Sequence, residues 1–238
     1  MNDTALILSP DELSRTPVES DPLMELFLIR HAQSANNALP ETERVEDPGL
    51  TDLGVEQARC LAEWLPTLGL TQLITSPFRR TLLTAKAISK STGLTPSVRV
   101  DLHEVGGCYR GYSPGCWQGR PGMNRREIEA AFSGFEFDDV IRDDGWWASK
   151  PYESWDDARQ RAVRLLERTT REFAQTHGRV AYVMHADFKN LFIEQFHNKS
   201  VLAIPRNASV SRVILADQTM QLADYNMSGH LRPEMVTV

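Results

Sequence analysis

A chain of 238 residues with a formal net charge of −6 and a pI near 5.6 is long enough to bury a full-sized core. Its acidic balance argues against general affinity for nucleic acid, which needs a basic face to displace phosphate counterions. Three scattered cysteines, Cys60, Cys108 and Cys116, form no C-x-x-C pair and fit a reducing compartment, and no stretch approaches the roughly 20 apolar residues that a membrane helix requires. The expectation is a cytoplasmic protein with no nucleic-acid or membrane partner, in which any anion site is a local pocket.

Residues 1–23 are rich in prolines and acids and read as a loosely ordered leader, with Met24 standing where a shorter form could begin. The apolar run Leu26-Phe27-Leu28-Ile29 reads as a buried strand that ends abruptly in Arg30-His31 and hands over to the small and polar residues Ala32 to Asn37. Thr51 is a helix N-cap ahead of an apolar face at Leu53, Ala58, Leu61, Ala62 and Leu65, and Pro66 stops that helix. Leu70 to Thr75 is a second short strand, followed by Ser76-Pro77-Phe78-Arg79-Arg80 and a helix with Leu82, Ala85 and Ile88 on one face, ended by Gly93.

Val98 to Leu102 alternates like a strand and delivers His103-Glu104 at its end. Val105 to Ser149 is a long excursion with eight glycines, a helix near Asn124 to Phe132 and the pair Trp146-Trp147, and excursions of this length are usually lids or binding surfaces. Ser154 caps a long amphipathic helix closed by Gly178. Val180 to Met184 is a continuous apolar strand ending in His185, and a helix over Phe188 to Phe196 and strands over Ser209 to Leu215 and Gln221 to Tyr225 complete the chain. Strands interleaved with helices predict an α/β sandwich, with residues 24–238 as one domain that carries the 105–149 excursion as a lid.

Four strand ends carry Arg30-His31, Arg80, Glu104 and His185, and in open α/β sheets such ends gather at one edge. A histidine after a strand is more often a structural residue than a catalyst, so convergence is what the chemical reading requires. Arg30 and Arg80 are permanently charged planar forks suited to a phosphoryl group, and Asn37 adds a donor. His31, held neutral, would attack phosphorus as the nucleophile. Glu104 would protonate the leaving alkoxide and then activate water, and a protonated His185 would stabilise the transition state. The cations are built in, so no metal and no cofactor is expected.

Four motifs occur in order: Arg30-His31-Ala32-Gln33-Ser34 with Asn37; Leu50-Thr51-Asp52-Leu53-Gly54 with Gln57-Ala58; Ser76-Pro77-Phe78-Arg79-Arg80 with Thr84-Ala85; and Met184-His185-Ala186. Together they resemble the histidine phosphatase superfamily, the phosphoglycerate mutase-like group of branch 1. The resemblance implies a three-layer sandwich around a six-stranded, mostly parallel mixed sheet flanked by helices. It also implies a phosphohistidine at His31, a phosphate pocket of Arg30, Arg80 and His185 with Ser34 and Asn37 beside the substrate, and Glu104 as proton donor. Glu153-Ser154 with Arg161 looks like the motif that opens the group's long helix. Both histidines are followed by alanine where the group commonly has glycine, and Trp117-Gln118-Gly119 lies farther from Glu104 than in the short phosphatases.

Gly111-Tyr112-Ser113-Pro114-Gly115 matches the serine-hydrolase pattern G-x-S-x-G, but Pro114 has no N–H for the oxyanion hole, and a turn is the better reading. His103, His177, His197 and His230 lack metal-ligand spacing and are read as structural. Arg110, Arg120, Arg125 and Arg126 are available for a second anionic group, though Arg125-Arg126 beside Glu127 and Glu129 reads first as a solvated helix face. The expected activity is a metal-independent phosphomonoester hydrolase acting on a small phosphorylated metabolite. A mutase-type isomerase is the alternative, and an inactive binding module on the same fold is a third. The substrate and the oligomeric state, a homodimer among the options, stay open.

Overall fold

The computed structural model describes residues 24–111, 113, 115–174, 177–197 and 202–238. The expected leader, residues 1–23, and Tyr112 and Pro114 of the serine-hydrolase look-alike lie outside the described residues. In chain order the strands are β1 (Met24–Arg30), β2 (Gln72–Thr75), β3 (Pro96–Val98), β4 (Tyr109–Arg110), β5 (Gln118–Gly119), β6 (Glu136–Phe137), β7 (Gly178–Met184), β8 (Val210–Ala216) and β9 (Thr219–Met227). The helices are α1 (Ala35–Ala38), α2 (Asp52–Trp64), α3 (Arg79–Thr92), α4 (Arg125–Ala131), α5 (Trp155–Phe173) and α6 (Ala186–Glu194). No helix among the described residues is long and apolar enough to cross a membrane.

Seven strands pair in the order β6-β3-β2-β7-β1-β8-β9, and β4 and β5 form a separate hairpin. The ladder from β6 to β1 is parallel, while β8 runs antiparallel to β1 and β9 antiparallel to β8. The seventh strand, one more than the six that the resemblance implies, is the two-residue edge β6. Asp217 and Gln218 turn the β8–β9 hairpin with φ values of 50° and 60°, the double left-handed geometry that matches the twist of paired strands.

Alternation along β1 builds the layers. Met24, Leu26 and Leu28 face a core shared with α5 (Ala158, Ala162, Leu165) and α6 (Phe188, Leu191, Phe192). Phe27 and Ile29 face the opposite core with α2 (Ala58, Leu61) and α3 (Ala85, Ile88). A third cluster joins Phe78 and Leu82 of the α3 region to Met123, Ile128, Phe132, Ile141, Trp146 and Trp147, so much of the 105–149 excursion carries its own apolar interior.

Of the boundaries that differ from the sequence reading, three have a clear local cause. Val98 to Leu102 is not one strand: the last ladder bond runs from Arg99 N to Thr75 O at 2.8 Å, β2 ends there, and Val100–Leu102 winds into a single 3₁₀ turn closed by His103 N to Val100 O at 3.1 Å. Gly178 does not close α5 but opens β7, where a side chain would approach Thr71 Oγ1 to 2.8 Å. The helix after His185 starts two residues earlier than its apolar face suggests, because His185 itself is the N-cap.

Thr51 caps α2 as expected, its Oγ1 accepting from Gly54 N at 3.0 Å. Gly54 serves a second purpose, since a Cβ there would lie 2.0 Å from Gln33 O in the loop that follows His31. Gly54→Ala should therefore destabilise the protein by about 1–3 kcal/mol, the range for overpacking a tight contact. Urea unfolding checks this, and a loss below the measurement error would show that the loop yields freely.

Candidate active site

The carboxyl ends of β1, β7 and β2 lie side by side, and they bring together residues more than a hundred positions apart. His31, the first residue after β1, is held by His31 N to Met184 O at 3.0 Å and by Ala208 N to His31 O at 3.1 Å. Its Nδ1 meets Ala32 O at 2.7 Å, and a carbonyl can only accept, so Nδ1 carries the proton. Its Nε2 receives Arg80 Nε–H at 3.2 Å, so Nε2 carries the lone pair.

His185 has the opposite tautomer. Arg80 Nη2 donates to its Nδ1 at 3.1 Å, and its Nε2 donates to Ser76 Oγ at 2.8 Å. The two rings lie 5.2 Å apart at 61°, and one guanidinium spans them. Burial first, and then the charge of Arg80, push both imidazoles well below their ordinary value. His31 and His185 are thus neutral in this structure, each with one ring nitrogen protonated.

Arg80 sits in the first turn of α3, its Cζ 4.1 Å from the centre of the Phe78 ring, which also packs edge-on against His185. Asp47 Oδ1 accepts from Arg79 N at 2.9 Å and so ties that turn down, while its Oδ2 is buried and unpartnered among the described residues. Burial raises the Asp47 carboxyl to about 6 against the pull of Arg80. Arg30, 4 % exposed, points Nη1 at Pro205 O and leaves Nε without a partner among the described residues.

Asn37 turns its Oδ1 inward, accepting from Ser34 N at 3.0 Å, Ser34 Oγ at 2.9 Å and Asn207 Nδ2 at 3.3 Å. What it can offer an anion is its Nδ2 amide, and the Ser34 hydroxyl is committed to holding Asn37. The remaining motif residues fasten the loop. Ala32 N donates to Thr84 Oγ1 at 3.1 Å, Gln33 N to Gln57 Oε1 at 2.7 Å, and Thr51 Oγ1 to Gln33 Oε1 at 2.7 Å. Neither Ala32 nor Ala186 has a positive φ, so alanine fits where glycine is common in the resembled group.

Glu104 reaches the site from the far side. Its Oε1 accepts from Val105 N and Phe188 N, both at 2.9 Å, and its Oε2 accepts from Asp187 N at 3.4 Å, so it caps the N-terminus of α6 immediately after His185. Burial, and then the neighbouring Asp187 carboxylate, raise its pKa above the usual carboxylate range. The motif pair Glu153 and Arg161 braces the backbone that leads into it: Arg161 donates two hydrogen bonds to the Glu153 carboxylate at 2.8 and 2.6 Å and one each to the Asp101 and His103 carbonyls at 2.9 Å.

Asp187, Asp47 and Asn207 escaped the sequence reading. Asp187 lies two positions after His185, which was the one signal available. Three of the four arginines considered for a second anion form ion pairs, Arg120 with Glu46 at 3.2 Å, Arg125 with Asp139 at 3.3 Å and Arg126 with Asp143 at 3.4 Å, while Arg110 is exposed on β4. Among the described residues no group of three or more His, Cys, Asp or Glu side chains could hold a metal ion.

The family model of the histidine phosphatase superfamily (branch 1) matches residues 26–228, and the chain belongs to that family. It is 33 % identical over 141 residues to a glucosyl-3-phosphoglycerate phosphatase of Mycolicibacterium vanbaalenii, covering 59 % of this chain and 57 % of that protein. It is 34 % identical over 83 residues to a probable phosphoglycerate mutase GpmB of Yersinia pestis, covering 35 % of this chain and 39 % of that one. The chain thus spans less than two thirds of the length of these curated relatives. The Bacillus stearothermophilus YhfR structure shares the fold at a TM-score of 0.63 and 21 % identity, over 88 % of this chain and all of that one. The structure of a mycobacterial glucosyl-3-phosphoglycerate phosphatase does so at 0.60 and 23 %, over 86 % and 99 %.

The tautomers lead to a direct expectation. In ¹⁵N spectra His31 should show a protonated Nδ1 and His185 a protonated Nε2, with neither ring titrating near pH 6.5 because burial and Arg80 depress both. A midpoint near 6.5 for either ring would contradict this assignment.

Proposed function

We propose that the chain is a metal-independent phosphomonoester hydrolase that works through a phosphohistidine on a small phosphorylated metabolite. The observation that carries this reading is the lone pair of His31 Nε2, held beside the Arg80 guanidinium and within one ring's reach of His185. An arginine pair and a buried, unprotonated imidazole are what an in-line attack on a dianion needs.

In the first half-reaction the phosphate dianion draws Arg80 off His31 and onto its own oxygens, which frees the Nε2 lone pair. Arg30 and Asn37 Nδ2 hold the other oxygens. The dianion also reverses the penalty on a charged His185, which takes up a proton on Nδ1 and donates it as a hydrogen bond to the phosphoryl group. His31 Nε2 forms the N–P bond as the ester P–O bond breaks, and protonated Glu104 gives its proton to the leaving oxygen. In the second, the Glu104 carboxylate takes a proton from water, the water oxygen attacks phosphorus, and the P–N bond breaks to return neutral His31 and release phosphate.

His31, Glu104, His185, Arg30 and Arg80 are the catalytic set in this reading, with Ser34 acting through Asn37. Residues 24–238 act as one catalytic domain in which 105–149 shapes the mouth of the site. The free cysteines and acidic surface suit work in the cytoplasm. A mutase would return the phosphoryl group to its substrate instead of to water. Incubating phosphorylated metabolites with the protein in the presence of a chelator should release inorganic phosphate; isomerised product with constant phosphate would establish the mutase instead.

His31→Ala should abolish both turnover and labelling by a phosphate donor, and residual turnover of the wild-type kind would overturn the nucleophile assignment. Glu104→Gln should lower kcat by about 10²–10⁴ for alkyl phosphates and far less for aryl phosphates, whose leaving groups depart unprotonated. Because the raised pKa keeps Glu104 protonated into the neutral range, alkyl-phosphate turnover should fall as pH rises through that pKa, and the fall should vanish in the variant. An equal loss for both substrate types would exclude the proton-donor role.

A further inference from the structure

Beside Glu104 stands a set of aromatic side chains that the mechanism does not use. Trp117 lies flat on Tyr152, with ring centres 4.3 Å apart at 17°, and Tyr109 meets Tyr152 edge-on at 4.9 Å. Trp117 keeps 41 % of its surface exposed, so one side of the indole is open for contact. Gly106, two residues past Glu104, lies against both Tyr152 and Tyr109, which puts the stack on the acid's side of the site, and burial, then the charge of Asp187, raises the Tyr152 phenol.

The backbone is shaped to hold this stack in place. Gly106, at φ +91° and two residues past Glu104, would place a Cβ 2.5 Å from Tyr152 Cε2 and 2.8 Å from Tyr109 Cε1, so only glycine lets both rings close over it. Glu153 N donates to Gly106 O at 3.2 Å and fixes Tyr152 from the other side. Trp117 leads into β5, which pairs with β4 where Tyr109 stands, and Gly119 of β5 lies so close to Lys150 O that a Cβ would sit 1.9 Å from it. The insertion that separates Trp117 from Glu104 in sequence thus delivers the indole back to the acid's side.

We infer that Trp117, backed by Tyr152 and Tyr109, is a leaving-group platform that selects phosphomonoesters whose alcohol carries a ring with an apolar face. The inference rests on the phosphomonoesterase reading, in which the leaving group departs beside Glu104. A ring laid on the open side of the indole gains stacking or C–H contact over its whole face, and an acyclic chain cannot. Asp187, on the same side, is a hydrogen-bond acceptor that welcomes hydroxyl or amino groups on the ring's rim and repels a second anion, while Glu104 keeps its proton for the leaving oxygen and Glu153 is spent on Arg161.

The test is calorimetric binding of C–P analogues, which cannot be hydrolysed, to the full chain: a hexose phosphonate, a nucleoside phosphonate and propylphosphonate. At least one ring analogue should bind about tenfold more tightly than propylphosphonate, in keeping with the usual worth of one stacked ring. Trp117→Ala should remove that preference and Trp117→Phe should restore part of it; which ring arm shows the gain tells a sugar from an aromatic base. Equal affinity for ring and chain, or a preference that survives Trp117→Ala, overturns the platform. Failure of every ester to release phosphate while the ring preference persists would instead sink the hydrolase reading and leave the platform standing.

Discussion

One guanidinium sets the protonation states of the site. Arg80 donates to Nε2 of His31 and to Nδ1 of His185, and because arginine cannot accept, both nitrogens must present lone pairs. The other nitrogen of each ring is then obliged to donate, to Ala32 O in one case and Ser76 Oγ in the other. Two imidazoles of the same kind are thereby given opposite tautomers by their neighbours alone. Without that cation the Ala32 carbonyl would still fix His31, but His185 would be left to the Ser76 hydroxyl, which can donate or accept.

A second division separates the carboxylates. Glu104 caps a helix N-terminus, a position that ordinarily favours ionisation, yet burial and the adjacent Asp187 outweigh the two short backbone bonds and hold it partly protonated. Glu153, almost as enclosed, is matched to Arg161 through two short bonds and so anchors its turn. The same residue type meets two settings, because one has a guanidinium fork in register with it and the other has a second carboxylate.

Much of this was legible in the sequence, for identifiable reasons. β1 and β7 are buried on both faces, so they read as apolar runs, and the polar residue at the end of each run, Arg30 or His185, marks the sheet edge. Thr51 and Ser154 announce their helices through side-chain caps that the structure contains. The alternation through Val98 to Leu102 misled because it counts side chains and is blind to whether a neighbour strand is long enough to pair. Asp47 and Asn207 were invisible for a related cause: they act through Arg79 N and His31 O, backbone groups whose position depends on tertiary structure. The hairpin carrying Trp117 is only two residues long on each side, below what periodicity can detect.

The loop bearing His31 is also moored to residues that come very late in the chain. Gln57, which accepts from Gln33 N, donates in turn to Met235 O at 2.7 Å and Thr237 Oγ1 at 3.0 Å, and Thr237 bonds both ends of Asn207, the partner of His31 O. During synthesis the first strand and its histidine leave the ribosome some two hundred residues ahead of that mooring. Through most of translation the His31 loop therefore has its bonds to Thr51, Gln57 and Thr84 within reach but lacks the brace behind them, which is added only once positions 235–237 have emerged.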